Sequence, residues 1–495
     1  MKRRNLLSPM VCLGLALLVL PALGNNIQVS NVTLAGQNIY GKYIEVRCDL
    51  SWENSWRDNT NWDAAWLFVK YQVQGTSSWK HAWLNPSSAS HTIPAGYTCT
   101  VGNTSISGSD RGMGVFIYRS ANGSGSTSLT NVRLRWDYGA NSLADGAIVS
   151  IKVLAIEMVY VPQGAFYLGD VDNDQVACFY LYGTSGPYQV TSESAITMGQ
   201  ISGSLWASGF IETSTLPAAF PKGYSAFYCM KYEICEGQWV DFFNALTDSQ
   251  KVNRDLTYPL QWYGKGGDGV VDRNTIAWTS GDATTLRPLR ACGYLSWGDG
   301  AAYADWSGLR PMTELEFEKA CRGPNIVDDE FAWGTTTIML AEQLSGTENG
   351  TETVVSSLPL IANCRYNGPS LSGGDGGRGP VRCGIFATAT TTREAAGASY
   401  YGIMELSGNT EERAVTVGNS LGRAFTGLHG NGELTGSGFA DTVNWPGSDG
   451  AGGGYRGGSW DLNVADVRVS DRHGAGTASQ YRSFGYGFRC VRSAP

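Results

Sequence analysis

The chain reads as a β-rich protein of two domains, an N-terminal antiparallel β-sandwich followed by a second β-rich unit with two short helices. Three observations carry that reading. Its 495 residues include 64 Gly, 24 Tyr and 16 Trp; glycine supplies the positive φ of tight turns and aromatics favour pleated surfaces, so many short strands are expected. The first third breaks into alternating, strand-length runs separated by Gly, Ser and Asn clusters. Helical periodicity surfaces at only two places. With 42% hydrophobic and 16% charged residues, the chain can bury a large core.

The first element is a leader. Lys2-Arg3-Arg4, an apolar run from Met10 to Leu20 and then Ala22-Leu23-Gly24 follow the charged, apolar and small-residue order of a secretory signal. Residues 1–24 are therefore expected to be removed, and the mature chain to be secreted, extracellular or at the cell surface. The apolar run is shorter than the ~20 residues that span a bilayer, so no membrane insertion is expected. Removal leaves 33 Lys and Arg against 44 Asp and Glu, which moves the formal net charge from −8 to −11. That acidity argues against nucleic acid and anionic membranes as partners, because both demand a basic face.

Ten cysteines remain after the leader, with no CxxC pair among them. An even number in an exported chain points to disulfides, and Cys48 with Cys99 is a candidate pair because no other cysteine lies in the N-terminal domain.

The sandwich is expected over residues 25–155. Tyr43-Ile44-Glu45-Val46, Ala65 to Tyr71, Gly114 to Tyr118 and Val132 to Trp136 are its clearest strands, bounded by turn residues. Trp52, Trp56, Trp62 and Trp66 serve either the sandwich core or a carbohydrate-stacking surface.

The second unit is expected over residues 156–495, opening at Glu157-Met158-Val159-Tyr160-Val161-Pro162. Trp239, Phe242, Phe243 and Leu246 recur at helical spacing and predict a helix from Glu236 to Leu246. Thr313-Glu314-Leu315-Glu316 is a capping box that starts a second helix. Cap and dipole stabilisation accounts for Glu314 and Glu316 without any acid/base role. The Gly-rich stretches 372–377 and 447–454 read as surface loops; neither follows a strand and opens a helix, as a phosphate cradle must.

Six blocks in this unit spell a family. Met158 to Phe166, Tyr232 to Trp239, Leu309-Arg310-Pro311-Met312-Thr313-Glu314-Leu315-Glu316-Phe317-Glu318 with Cys321-Arg322-Gly323 and Trp333-Gly334, Tyr401 to Asn409, Arg456-Gly457-Gly458-Ser459-Trp460 and Gly487-Phe488-Arg489-Cys490 stand in order. Together they resemble the formylglycine-generating enzyme family, the sulfatase-modifying factors. The resemblance implies an irregular α+β domain related to C-type lectins, and it leaves the sandwich outside.

Oxidase members of that family turn a sulfatase cysteine into formylglycine with two cysteines that hold copper(I) shortly after the Gly-Gly-Ser block. Here the corresponding positions are Leu462 and Val467. Copper(I) needs soft thiolates, which hydrocarbon side chains do not offer, so no copper and no catalytic residue are expected. Other relatives use a three-histidine iron site. This chain has only His81, His91, His429 and His473, without a close His-Glu cluster, and three-histidine iron chemistry is not expected.

Calcium is the cofactor the resemblance does carry over. One site would use Asn363, the carbonyl of Cys364 and Asp375; a second would use Glu405, the carbonyls of Gly408 and Thr410, and Glu412. These oxygens are of the kind calcium takes. The tryptophans that usually flank the last Glu are replaced by Glu411 and Arg413. In non-enzymatic relatives the segment corresponding to Asp461–Tyr486 carries ligand contacts. Here it offers Asn463, Asp466, Arg468, Arg472, His473, Tyr481, Arg482 and Tyr486 as candidate binding residues, with Asp471 and Phe484 among them. The expectation is a secreted, non-catalytic protein that binds an extracellular protein or glycan, or self-associates as a structural subunit. Calcium-dependent lectin-like binding and an active oxidase are the alternatives.

Overall fold

The computed structural model describes residues 26–356, 361–388 and 390–495. The expected leader lies outside these residues. The N-terminal elements are β1 (Gln28–Asn38), β2 (Tyr43–Arg57), β3 (Asp63–Val73), β4 (Tyr97–Ile106), β5 (Ser109–Arg119), β6 (Gly123–Trp136) and β7 (Val149–Val161). The elements that matter most after them are β8 (Phe227–Met230), α1 (Glu236–Phe243), α2 (Asp248–Arg254), α3 (Trp297–Trp306), β9 (Arg310–Pro311), α4 (Glu314–Arg322), β10 (Glu411–Val415), α5 (Ser420–Arg423), β11 (Gly453–Arg456), β12 (Tyr486–Gly487) and β13 (Cys490–Ser493). No helix among the described residues is long and apolar enough to cross a membrane.

Strand β3 shows why the chain folds as it does. Side chains alternate across a strand, and here both faces are apolar. Ala64, Trp66 and Phe68 enter one core with Met113 and Phe116 of β5 and with Trp239, Trp297 and Phe488 from the C-terminal region. Ala65, Leu67, Val69 and Tyr71 enter another with Val46, Leu50 and Trp52 of β2. Burying one such side chain contributes roughly 1.5–3 kcal/mol, so β3 is locked from both sides.

The second of those cores is the interior of the expected sandwich. It is closed on one side by the antiparallel sheet β1-β2-β6. The other side is an eight-stranded sheet whose order runs β9-β13-β8-β7-β3-β5-β4, with a short strand at Lys80–His81 added to β3. That sheet extends from the N-terminal region into the C-terminal one. Residues 155 and 156, the expected boundary, both lie within β7, where Ala155 pairs with Leu67 and Ile156 with Trp66. Residues 149–157 of β7 pair only with β3, Met158 and Val159 pair with both β3 and β8, and Tyr160 and Val161 pair with β8.

Of the four N-terminal tryptophans, Trp52 and Trp66 are buried in the two cores. Trp62 stacks on Tyr160 at 3.9 Å with the Arg57 guanidinium 4.3 Å from its ring, and Trp56 packs beside Tyr401 and Ile403.

Both predicted helices form. Helix α1 begins at Glu236 as expected and ends at Phe243, three residues short. In α4 the Thr313 hydroxyl accepts the Glu316 N–H and the Glu316 carboxylate accepts the Thr313 N–H, at 3.1 and 3.0 Å. Helices α2, α3 and α5 gave no readable signal; α3 is buried around its whole circumference, which erases amphipathic periodicity. Gly453 and Gly454, expected in a loop, begin β11.

Among the described residues the expected disulfides do not form. Cys48, Cys99, Cys178, Cys229, Cys292, Cys321, Cys364, Cys383 and Cys490 carry free thiols. The Cys99 thiol points to the Ser88 carbonyl at 3.8 Å, and Cys229 and Cys321 pack with Val159, Phe227 and Phe317 as small hydrophobes do.

Candidate functional site

The candidate site is built on a small three-stranded sheet. Central β10 pairs antiparallel with β11 and parallel with β12. Two left-handed glycines follow β11. A Cβ on Gly457, at φ +84°, would sit 2.8 Å from Glu412 Oε2, and one on Gly458, at φ +63°, 2.7 Å from the Asp466 carbonyl. Only glycine fits both demands, and the turn delivers Ser459 and Trp460 to the site.

A cleft of ≈ 220 Å³ opens beside this sheet. Glu411, Tyr455 and Tyr486 reach it from the three strands, and Ser459, Asp461, Leu462, His473, Thr477, Ser483 and Phe484 complete its walls. No thiol lines it. Leu462 faces the cleft, whereas Val467 is fully buried against Phe331, Trp333 and Cys364. The donor set thus does not fit copper(I), which binds through paired soft ligands.

The two residues that flank Glu412 have distinct roles. Arg413 is buried, its guanidinium 4.5 Å from the Tyr455 centroid and 4.8 Å from that of Tyr486, and those rings stack at 4.3 Å. It donates to the carbonyls of Leu295, Ser479 and Tyr481 at 3.1, 2.9 and 2.8 Å. A planar cation packs against both aromatic rings here. Glu411 turns to the cleft and meets His473 Nε2 at 3.4 Å. Burial disfavours the charge on His473, but hydrogen bonds that it donates to Asp471 and Glu411 outweigh this and push the imidazole up to about 10.

The predicted binding residues divide. His473 and Tyr486 line the cleft, and Asp466 stands behind His473, 3.8 Å from Nδ1. Asn463 and Tyr481 are exposed, the latter edge-on to Tyr263 at 5.5 Å. Arg468 is half-buried and pairs with Asp329 at 2.6 Å. Arg472 and Arg482 do not belong to that surface. Arg472 reaches inward to Glu314 at 2.7 Å and over the Phe179 ring at 3.8 Å. Arg482 clasps both oxygens of Asp299, at 2.7 and 2.8 Å. Buried charges need such partners, which explains both placements. The sequence reading missed Tyr455, whose place opposite Arg413 depends on the β10–β11 register, and Asp461.

The two calcium sets also differ. Asp375 accepts from Arg287 at 2.6 Å and Arg290 at 2.8 Å, and the Arg287 hydrogen bond above all holds its carboxyl well below the usual range. Asn363 Oδ1 accepts the Met339 N–H, and the Cys364 carbonyl accepts the Ala341 N–H, both at 2.9 Å. With its oxygens committed in this way, the first set does not fit a cation. In the second set, Glu405 Oε2 and Glu412 Oε2 are buried without a hydrogen-bond partner. Burial, with Glu233 nearby, pushes Glu405 up to about 8; burial also pushes Glu412 up to about 8 against the opposing pull of Arg489 at 2.8 Å. Two orphaned carboxylate oxygens fit a hard divalent cation.

Comparison with known proteins agrees with the blocks. The sulfatase-modifying factor enzyme 1-like domain matches residues 150–494. The formylglycine-generating enzyme of Thermomonospora curvata is 41% identical over 54 residues, 11% of this chain and 18% of its own. That of Bos taurus is 28% identical over 126 residues, 22% of this chain and 33% of its own. The matched stretches span a third or less of these curated relatives. Two solved structures, Treponema denticola variable protein 1 and PvdO from Pseudomonas aeruginosa, are 13% and 15% identical, each over 69% of this chain, and cover 96% and 95% of their own chains with a TM-score of 0.31 each. From residue 150 to residue 494 the chain belongs to the sulfatase-modifying factor enzyme 1-like family.

Proposed function

We propose that this protein is a secreted, non-catalytic family member whose cleft binds an extracellular glycan. One observation carries the reading: the cleft sets the aromatic rings of Phe484 and Tyr486 beside the carboxylates of Glu411 and Asp461, with no thiol among its described walls. Aromatic faces accept the apolar side of a sugar ring, and carboxylates accept hydrogen bonds from its hydroxyls. Calcium at Glu405, Gly408, Thr410 and Glu412 is part of this proposal. Neighbouring strand residues point to opposite faces, so a cation held by Glu412 would brace β10 from behind while Glu411 meets the ligand.

A glycan array probed with the mature protein, with and without chelator, tests the reading. Binding that weakens in both Asp461→Asn and Tyr486→Ala is the expected outcome; binding unchanged in both variants, or none in either condition, counts against it. A second reading, self-association, draws on β4, a ten-residue strand at the end of the eight-stranded sheet. Exposed strand edges invite pairing, and a strictly monomeric sizing profile at high concentration removes this reading.

A further inference from the structure

The His473 ring is held at both nitrogens. Nδ1 lies 2.5 Å from Asp471 Oδ1 and 3.8 Å from Asp466 Oδ1, while Nε2 faces Glu411 Oε1. Among the described residues, Asp466, Asp471 and His473 form the one group of three or more acidic, histidine or cysteine side chains whose ligand atoms lie within 4.8 Å of one another. A second observation points to a missing partner. Asp471 is 2% exposed, and its other oxygen, Oδ2, is buried with nothing to bond.

We propose that Asp466, Asp471 and His473 bind a divalent transition cation of the zinc class at the wall of the cleft. One imidazole with two carboxylates is a borderline donor set that suits zinc better than calcium, which prefers oxygen alone. Zinc holds such ligands at about 2.0–2.1 Å in a tetrahedron, which sets neighbouring donor atoms roughly 3.3 Å apart. The distances from His473 Nδ1, 2.5 and 3.8 Å, bracket that value. These two separations therefore need to change by less than about 1 Å to reach it.

Glu411 supplies the outer support. By accepting the Nε2–H it leaves Nδ1 as the lone-pair donor, the arrangement in which a carboxylate orients a metal-bound histidine. A fourth position is left for water or for a group entering the cleft from its open side. In the cation's absence the same residues trap a proton, since the imidazole is raised to about 10. The metal and that proton compete for one lone pair, so binding at neutral pH must release it. The Arg413 guanidinium and the Asp461 carboxylate are the other charged groups near this corner. The site is independent of whether the cleft takes a sugar.

Mature protein stripped with chelator and titrated calorimetrically with zinc chloride, in two buffers of different ionisation enthalpy, tests this. The expected result is one zinc per chain with release of about one proton. His473→Ala and Asp466→Asn should each lose at least about tenfold in affinity, and Glu411→Gln about 10–100-fold. Asp466 is half-buried, so its amide variant keeps the test interpretable if the histidine variant fails to fold. Absence of binding by folded protein at millimolar zinc overturns the proposal. So does binding unchanged in Asp466→Asn, which would place the metal outside this cluster.

Discussion

Arg413 holds its guanidinium carbon 4.5 Å from the centre of the Tyr455 ring, across the β10–β11 pair. The contact joins the sheet to the loops around residues 295 and 479–481 and fixes the aromatic wall of the cleft. Arg413→Ala strips the buried Leu295 carbonyl and the more open carbonyls of Ser479 and Tyr481 of their donor, and is expected to cost roughly 2–4 kcal/mol. Arg413→Lys keeps the charge but loses the planar fork, and should fall between. Urea unfolding of the three proteins checks the order; equal midpoints would show that the stack does not support the site.

Arg472 should behave as a structural residue and not as a ligand contact. It is one of two guanidinium groups that neutralise Glu314, Arg456 being the other, and it also donates to the carbonyls of Ala177 and Phe210. Arg472→Ala leaves those groups buried with too few donors, at a cost of about 3–5 kcal/mol. Thermal unfolding measures this, and a stable variant with altered ligand binding would return Arg472 to the surface patch.

The second calcium set predicts a pH signature. Glu405 and Glu412 have folded values of about 8, above the carboxyl value of 4.5. Between about pH 4.5 and 8 the folded state therefore binds more protons than the unfolded chain, and these groups make stability fall as pH rises. A divalent cation binds the ionised carboxylates and opposes that fall. In chelator, the melting temperature of the wild type should drop from pH 5 to pH 8 more steeply than that of Glu405→Gln. Calcium should raise the wild-type melting temperature at pH 8 and leave it nearly unchanged at pH 5. Equal effects of calcium at both pH values would argue against a carboxylate site.

The shared sheet makes the N-terminal region part of the C-terminal fold. Trp66, fully buried, donates its indole N–H to the Ser307 carbonyl at 2.9 Å from within the core that also holds Trp297 and Phe488. Trp66→Ala is expected to cost about 3–5 kcal/mol and to lower the unfolding midpoint reported by the C-terminal tryptophans as well. A chain beginning at residue 156 loses half of β7 and all of β3, and should be insoluble or unfolded. A soluble, cooperatively melting fragment would show the two regions to be separable.

Much of this was legible before the structure. The capping box at Thr313 and the strands around Ala65 and Val115 were readable because local chemistry dictates them. Leu462 and Val467 were counted from Gly457-Gly458-Ser459, and one of them faces the cleft while the other is buried. Burial was the hidden variable elsewhere. Arg472 and Arg482 look like surface cations in a polar segment, and only the positions of Glu314 and Asp299 in space send them inward. The disulfide reading failed for a related reason, because an even cysteine count does not bring thiols together. Tyr455 escaped notice because its role depends on strand register, not on neighbours in sequence.

The proposed non-catalytic role rests on the hydrocarbon side chains of Leu462 and Val467 and on the absence of a thiol among the described walls of the cleft. Incubating the mature protein with a cysteine-containing sulfatase peptide, copper and oxygen, and reading the peptide by mass, tests it directly. The account predicts that the cysteine survives without conversion to the aldehyde. Formylglycine appearing in proportion to the amount of protein would contradict it.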